Sequence, residues 1–376
     1  MLAHAWLLLC LSLADASSAA VAVPAPAPEQ VRIAVGRFRD VVTIRGVGMS
    51  VLWPDGKRTP GNHELQIRVS SAGLKLNGEK PIKGTLRIVA PGVLGLSGHS
   101  YRRELEVGFQ LYDKKNPEVL VVHPLDLETY VTGIVSAELP GGWPLGAYQA
   151  QAVAARTFAL FQKYRRLDLP YHMESSVLDQ VYAGVEREHP LAQQAAASTR
   201  GEVLTFDRHL VQAFFHAACG GETESALEGW GAPLRYLPGS NCGRCQDATR
   251  SRWSAQIAKA EVDRAFSRVL GEPVTSLQVA ERSPSGRVRA VQVRGAGRSV
   301  RVTGADVRRL LGYTRVWSTL IDRLELGKDG LRIAGRGSGH GVGMCQWGAR
   351  GLAQTGVPYQ DILARYYPTA RLRRLY

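Results

Sequence analysis

The chain has 376 residues, of which 45% are hydrophobic, and a formal net charge of +14 at pH 7. This length allows two domains or one large one, and the composition is typical of a globular protein. No run after the N-terminus is long enough for a transmembrane helix, which argues against a helical membrane protein. The charge is compatible with nucleic acid, an anionic membrane, an acidic cell-wall polymer or a solvated basic surface, but the arginines from Arg250 to Arg315 are scattered rather than clustered.

The first twenty residues are typical of a secretory signal. Trp6–Leu13 is a short apolar core and Ala14-Asp15-Ala16 is an A-x-A cleavage pattern, although no Lys or Arg precedes them. Cys10 lacks the small preceding residue of a lipoprotein signal, so we expect a cleaved, soluble, exported protein. Residues 21–30, rich in Pro and Ala, predict a short stiff linker. Nucleic acid is therefore not an expected partner.

Residues 31–122 predict a β-rich N-terminal module. Apolar and polar residues alternate in VRIAV (31–35) and ELQIRV (64–69), which is the period of a strand. Pro54-Asp55-Gly56 and Asn77-Gly78 are turn sequences of the kind that joins hairpin strands. No titratable cluster stands out here, so we interpret the module as a support for the rest of the chain.

A helix is predicted where the pattern changes, near residue 123. Asp126 can cap LETYVTGIVS, whose apolar residues follow helical spacing and form one face: Leu127, Tyr130, Val131, Ile134 and Val135. Glu138 continues this face with a carboxylate, close to Trp143. Partial desolvation would raise the pKa of such a carboxyl, as a general acid at neutral pH requires, whereas a glutamate at a helix end can also simply turn to water.

A second helix is predicted from Pro144, a favourable first residue, through an alanine-dense sequence that we expect to be buried. Arg156 lies in its middle and should have a specific partner. Further on, GEVLTF (201–206) predicts a strand, residues 254–330 mix helix and strand patterns, and a last helix leads to ILARYY (362–367). We therefore predict an α+β fold, with helices and mixed strands over residues 123–376.

A glycine-rich stretch, GRGSGHGVGMCQWGA, covers Gly335–Ala349 and holds six glycines among few reactive side chains. It is either a tight loop or a site whose backbone lies against a ligand. His216 and His340 each sit beside glycines, and a lone histidine is more often structural than catalytic.

Four cysteines remain once the signal is removed: Cys219, Cys242, Cys245 and Cys345. Cys242 and Cys245 form a C-x-x-C motif, which is a common half of a zinc site. An oxidising exported location favours disulfides instead. The spacing alone leaves metal and disulfides equally open.

These motifs together resemble the SpoIID/LytB family of stage II sporulation protein D and amidase-enhancer proteins. The resemblance rests on three separate segments in family order: VVHPLDLETYVTGIVSAELPGGWPLGAYQAQAVAARTFAL, then GEVLTF with FFHAACGGETES, and the closing GHGVGMCQWGARGLA with YQDILARYYP. It covers roughly residues 30–370 and implies a SpoIID-like catalytic region over residues 123–376. It further implies peptidoglycan lytic transglycosylase activity on glycan strands.

The resemblance also implies roles for individual residues. The catalytic carboxylate falls on SAELP and hence on Glu138. Five residues on family motifs would line the same cleft: Arg156, Gln180, Tyr182, His216 and His340. The glycine-rich stretch would form a wall of that cleft, close to sugar rings. Because some family members bind zinc near the motif that contains Cys219, the resemblance favours a structural zinc on the four cysteines over disulfides.

The number of suitable carboxylates favours a lytic transglycosylase over a hydrolase. A hydrolase needs two carboxylates, whereas only Glu138 lies in a suitable motif. Glu222 and Glu224 follow a glycine turn, and we expect both glutamates to be solvated. A lytic transglycosylase needs one, because the muramyl 6-hydroxyl is the nucleophile. The alternative is a non-catalytic cell-wall binder that enhances a partner N-acetylmuramoyl-L-alanine amidase.

Overall fold

The structure of the protein is a computed structural model that describes residues 29–376 except 79, 114–115, 176–179, 181 and 183. The predicted signal peptide with Cys10 and most of the linker lie outside the described residues.

Alternating side chains build the N-terminal sheet as predicted. Its strands in chain order are β1 (Gln30–Phe38), β2 (Val41–Arg45), β3 (Ser50–Leu52), β4 (Arg58–Pro60), β5 (Glu64–Ser70), β6 (Gly73–Leu76), β7 (Thr85–Leu96), β8 (His99–Asp113) and β9 (Asn116–Asp126). In β5, buried Leu65 and Ile67 alternate with exposed Glu64, Gln66 and Arg68. Both predicted turns are confirmed: Asp55 accepts the Lys57 N–H between β3 and β4, and Asn77 and Gly78 have positive φ after β6.

The chain then turns into helices and short strands. These are α1 (Leu127–Glu138), α2 (Leu145–Arg165), β10 (Met173–Glu174), α3 (Pro190–Ser198), β11 (Glu202–Phe206), β12 (His209–Leu210), β13 (Phe215–His216), β14 (Glu222–Thr223), α4 (Ala226–Trp230) and β15 (Ser240–Asn241). Asp126 caps α1 as predicted, because its Oδ1 accepts the Thr129 N–H at 2.9 Å. The short β10 pairs in parallel with β1 and extends the N-terminal sheet.

Helices α1, α2 and α3 share one hydrophobic core with that sheet. The predicted apolar face of α1 is buried, and it packs in a single cluster with sheet residues such as Val31 and Val121 and with Ala152 and Ala155 of α2. The core therefore crosses the boundary between residues 122 and 123 at which the sequence pattern changes, and it makes the β-rich module a direct support for α1.

Residues 252–336 form a unit with a core of its own, here called the 252–336 module. Its elements are β16 (Arg252–Ile257), α5 (Lys259–Leu270), β17 (Ser276–Arg282), β18 (Val288–Arg294), β19 (Ser299–Thr303), α6 (Gly304–Leu311), β20 (Ile321–Gly327) and β21 (Gly330–Arg336). They make two small sheets, ordered β16-β21-β20 and β17-β18-β19, around buried residues that include Phe266, Val291 and Ile333.

The end of the chain returns to the first part of the fold. It comprises β22 (Met344–Cys345), α7 (Gln346–Gln354), α8 (Tyr359–Tyr366) and β23 (Arg371–Arg374). The prediction of one last helix was wrong: Gly356 has a φ of +81° and Pro358 precedes α8, so the sequence is broken into two helices. β22 pairs in parallel with β13, and β23 pairs with β11.

The fold contains many helices as well as many strands, and the strands form mixed sheets. This confirms the predicted α+β class. In the part of the chain that the structure describes, no helix combines the length and the apolar character needed to cross a bilayer.

Candidate active site and four-cysteine centre

Glu138 is the last residue of α1, and its side chain is half-buried. Its Oε2 accepts a hydrogen bond from Nε2 of Gln346 at 3.3 Å. Gln346 begins α7, is buried, and also donates to Oε1 of Gln151 on α2 at 3.4 Å. Three helices therefore converge on one carboxylate, and a row of two amides orients it.

Two tryptophans form an aromatic pair near this site: Trp143 follows Glu138 in the sequence, and Trp347 follows Gln346. The rings of Trp143 and Trp347 lie 5.1 Å apart in an edge-to-face arrangement. The guanidinium of Arg350 lies 4.9 Å from the ring centre of Trp347 and 5.8 Å from that of Trp143. Trp347 and Arg350 are partly exposed, so this surface can contact a ligand.

Gln151, Gln346, Trp347 and Arg350 were not predicted as site residues. Gln151 is the one polar residue on an alanine stripe that includes Ala147 and Ala155, and a buried polar side chain on such a stripe is a usable signal. Gln346 and Trp347 lie inside the glycine-rich stretch. Nothing in the sequence indicates that they meet Glu138, more than 200 residues away.

The predicted cleft residue Arg156 is fully buried. It forms a bidentate ion pair with Glu128 in the first turn of α1, with Nη2 to Oε2 at 2.6 Å and Nε to Oε1 at 2.9 Å. It also donates to the carbonyls of Ala196 and Glu202. The expectation of a specific partner is confirmed, but the side chain lines no open surface, so its role is to hold α1 against α2.

Gln180 and Tyr182 are also buried rather than open to a cleft. Oε1 of Gln180 accepts the Tyr130 hydroxyl at 2.9 Å, and the Tyr182 ring lies 5.5 Å from that of Tyr130. Because both contact the inner side of α1, their predicted substrate contact is replaced by support of that helix.

His340 has both ring nitrogens occupied by the backbone. Its Nε2 donates to the Phe215 carbonyl at 2.8 Å and its Nδ1 accepts the Val342 N–H at 3.2 Å. Burial lowers the pKa of His340 to about 4, so the ring is neutral at pH 7. It therefore ties the glycine-rich stretch to β13 and offers no ring nitrogen to a glycan, contrary to the prediction.

His216 is buried beside it, with ring centres 5.3 Å apart. Its Nδ1 donates to the Val342 carbonyl at 3.1 Å, and burial holds the pKa of His216 well below its usual value. Nε2 of His216 has no hydrogen-bond partner among the described residues. A direct contact with a large glycan is excluded by this burial.

Glycines of the glycine-rich stretch pack tightly against protein on one side, and the predicted role of the stretch as a wall close to sugar rings stays a prediction. A Cβ on Gly337 would lie 2.5 Å from the Ala218 carbonyl oxygen, and one on Gly343 would lie 2.0 Å from that of Phe214. Both glycines have positive φ. The segment therefore needs glycine so that β22 can lie close to the strand and loop that carry His216 and Cys219.

The four cysteines come together in one buried cluster, called here the four-cysteine centre. All of their Sγ atoms lie within 4.8 Å of one another, and those of Cys219 and Cys245 are 3.5 Å apart. Cys219 follows β13, Cys242 and Cys245 lie in the loop after β15, and Cys345 is the last residue of β22. All four are free thiols, and burial raises the pKa of Cys345 far above its usual value.

The spacing of these sulfurs fits a tetrahedral metal. A Zn–S distance of about 2.3 Å implies sulfurs about 3.8 Å apart, whereas a disulfide needs about 2.0 Å. Backbone N–H groups already point at the sulfurs: Cys219 N and Gly348 N donate to Cys345 Sγ at 3.3 Å each, and Gly221 N donates to Cys219 Sγ at 3.4 Å. The centre could hold one metal ion, and Cys345 is covalently joined to Gln346.

The two glutamates after the Gly220-Gly221 turn differ. Glu222 is exposed, as predicted, but Glu224 is buried, which the sequence did not indicate. Oε2 of Glu224 accepts the hydroxyls of Ser283 and Ser285 from the 252–336 module, the latter at 2.8 Å.

Comparisons with known protein families match two segments of this chain. The family described as stage II sporulation protein matches residues 115–206, which contain α1 and α2. A family described as a domain of unknown function matches residues 240–343, which contain Cys242, Cys245 and the 252–336 module.

Similar proteins extend over most of the chain. An uncharacterized protein of Brachyspira hyodysenteriae is 31% identical over 309 residues, which cover 81% of each chain. Stage II sporulation protein D of Bacillus subtilis is 28% identical over 65% of this chain and 74% of its own length. The amidase enhancer of Bacillus subtilis is 25% identical over 64% of this chain, but over only 40% of its own length. The matched segment around α1 and α2 and the extent of this shared sequence show that the chain belongs to the SpoIID/LytB family.

Proposed function

We propose that the protein is a peptidoglycan lytic transglycosylase in which Glu138 is the general acid and then the general base. The observation that carries this proposal is the position of Glu138: a half-buried carboxylate at the end of a helix, oriented by a buried amide and close in sequence to an aromatic pair. Family membership supports a cell-wall function of this kind.

The reaction needs one carboxyl group. Glu138 would protonate the glycosidic oxygen as the bond to the muramyl sugar breaks, and it would then accept the proton of that sugar's own 6-hydroxyl as it closes a 1,6-anhydro ring. Nucleophile and electrophile belong to the same sugar, so proximity lowers the barrier without a bound water. Gln346 would keep the carboxylate aimed through both steps.

Two other carboxylates near the motifs already have partners. Glu224 accepts two serine hydroxyls, and Glu174 pairs with Arg37 at 2.8 Å. A hydrolase would need a second carboxylate about 5–9.5 Å from the first to serve a nucleophile or a water, and neither of these two is available for that task.

The exposed parts of Trp347 and Arg350 supply the binding surface in this proposal. An indole face stacks on the C–H face of a sugar ring, and the guanidinium donates to hydroxyl or carboxylate oxygens. The net charge of +14 favours a wall polymer that carries carboxylates. We propose accordingly that the protein is exported and acts in the periplasm or the cell wall, which fractionation of cells carrying the full chain would test.

A second candidate function is enhancement of a cell-wall amidase without glycan cleavage, favoured by the similarity to a protein named amidase enhancer. Incubation of the purified chain with glycan strands, with and without peptide stems, separates the two. New glycan ends support the transglycosylase. If no ends appear and a partner amidase releases peptides faster in the presence of the protein, the enhancer function replaces it.

We also propose that the four-cysteine centre binds one structural zinc ion. The ion would cross-link three segments of the chain and so fix Cys345 and the adjacent Gln346. Elemental analysis of untagged protein should give about one zinc per chain. No metal together with four non-titrating thiols would indicate disulfides instead.

A further inference from the structure

Arg287 is a buried cation beside the four-cysteine centre. It lies just before β18 in the 252–336 module, and its side chain is 3% exposed. Its Nη2 donates to the carbonyl of Cys219 at 2.6 Å and to that of Glu222 at 3.3 Å. Its Nε and Nη1 are buried and have no hydrogen-bond partner among the described residues. A guanidinium in this position requires nearby negative charge, because removing its charge from water is strongly unfavourable.

The glycine-rich stretch leaves room for this guanidinium. A Cβ on Gly341 would lie 2.4 Å from Cζ of Arg287, and Gly341 has a φ of +86°. The segment that ends in Cys345 is therefore shaped around Arg287. Contacts on both sides thus come from cysteine-bearing segments.

Negative charge near Arg287 can come from the four-cysteine centre and from Glu224. Nη2 of Arg287 donates to the Cys219 carbonyl, which places the cation directly beside one of the four cysteines. Glu224 already accepts two serine hydroxyls, so it balances the cation only from a distance. Four thiolates around one Zn²⁺ carry a formal charge of about −2, which a single adjacent cation halves.

We propose that Arg287 is the counter-cation of a four-thiolate zinc centre, and that one task of the 252–336 module is to hold this cation against the centre. The inference rests on the proposed zinc site and assigns a role to the region matched as a domain of unknown function. Residues around a metal's ligands commonly change its affinity by about 10–100-fold. If Arg287 had a purely mechanical role and only held the Cys219 carbonyl in place, removing its charge would leave the electrostatic field at the sulfurs unchanged.

The test uses the full chain loaded with Zn²⁺ or with Co²⁺. Arg287→Met keeps much of the shape and removes the charge, and Arg287→Lys keeps the charge. Arg289→Met is the matched control, because Arg289 is 45% exposed and pairs with Glu228 and Glu281 away from the cysteines. Release of zinc to the chelator 4-(2-pyridylazo)resorcinol measures retention, and the sulfur-to-cobalt charge-transfer band reports the electrostatic field at the sulfurs.

Arg287→Met should release zinc roughly 10-fold faster or more. Its charge-transfer band should move to lower energy, because the sulfur electrons lose a stabilising positive charge. Arg287→Lys should lie between the two, and Arg289→Met should match the unmodified protein. An unchanged band in Arg287→Met, or equal bands in the Met and Lys variants, would overturn the proposal in favour of a mechanical role.

A second pair of variants decides the matter if Arg287→Met does not fold. Gly341→Ala should displace the guanidinium and speed zinc release, whereas Gly356→Ala has a similar φ of +81° but no atom within 4 Å of its added Cβ. Equal release from these two variants would contradict the proposal. If the unmodified protein binds neither metal, the zinc site fails and the counter-cation with it, and the transglycosylase proposal is judged separately by its glycan products.

Discussion

Two neighbouring residues, Cys345 and Gln346, separate two regions of opposite character. Cys345 belongs to a closed centre in which four thiols from three segments lie within 4.8 Å of one another. Gln346 belongs to a half-open site where one amide meets Glu138 beside partly exposed Trp347 and Arg350. The closed region is defined by the protein's own atoms. In the proposed function, a glycan strand would complete the open one.

The largest effect should come from breaking the closed region. Cys242→Ser removes one sulfur of the centre and leaves Cys345 and Gln346 unsubstituted. We expect metal content to fall from about one ion per chain to nearly none, and thermal unfolding to shift down by roughly 10 °C, because structural zinc contributes folding free energy. Elemental analysis and calorimetry check this, and a strong chelator should lower the unfolding temperature of the unmodified protein but not that of the variant. A chelator effect of equal size on both would contradict the centre.

Breaking the open region should leave the fold intact and remove activity. Glu138→Gln keeps the shape of the side chain but cannot transfer a proton, so the rate should fall at least ~10²-fold. The exposed Glu222→Gln is the control. Release of glycan fragments by the purified variants measures the effect, and near-normal turnover of Glu138→Gln would rule out the assignment.

Gln346→Met tests the contact that joins the two regions. The variant keeps a long side chain and loses the amide that orients Glu138, so we expect about a tenfold lower kcat with zinc content unchanged, the low end of what a misplaced catalytic group costs. Steady-state kinetics together with metal analysis distinguishes this outcome from damage to the centre. If zinc is lost together with activity, then Gln346 supports the closed region rather than the open one.

The smallest effect concerns a residue in neither region. Burial lowers the pKa of His123 to about 4 from an ordinary value of 6.5, so between these values the unfolded chain binds a proton that the folded chain does not. Stability should therefore fall as the pH falls from 6.5 to 4, and His123→Phe should reduce that slope by up to roughly 1.4 kcal/mol per pH unit. Denaturant unfolding at several pH values measures it, with exposed His63→Phe as the control. An unaltered slope in His123→Phe would show that other groups govern acid sensitivity.

Local signals in the sequence predicted local structure well. The Asp126 cap, the apolar face of α1 and the Asn77-Gly78 turn each depend on residues a few positions apart, and each is confirmed. The break between α7 and α8 could also have been predicted, since Gly356 and Pro358 are strong helix-ending signals.

Contacts between distant segments escaped the sequence. Glu224 was expected in solvent because its serine partners lie about sixty positions further along the chain. The tight contacts of the glycine-rich stretch with Phe214 and Arg287 could not be predicted either, because those two residues come from other elements. Glu138 and the four cysteines were singled out through their motifs. The structure brings the four cysteines together, and the roles of all five residues stay predictions.

The identity of the new glycan ends tests the central proposal most directly. Strands digested by the purified protein should carry 1,6-anhydromuramyl ends, which mass spectrometry detects as fragments lighter by one water than reducing ends. The same digestion with Glu138→Gln should produce almost none. Reducing muramic ends as the main product would contradict the transglycosylase reaction and would require a second carboxylate that activates water.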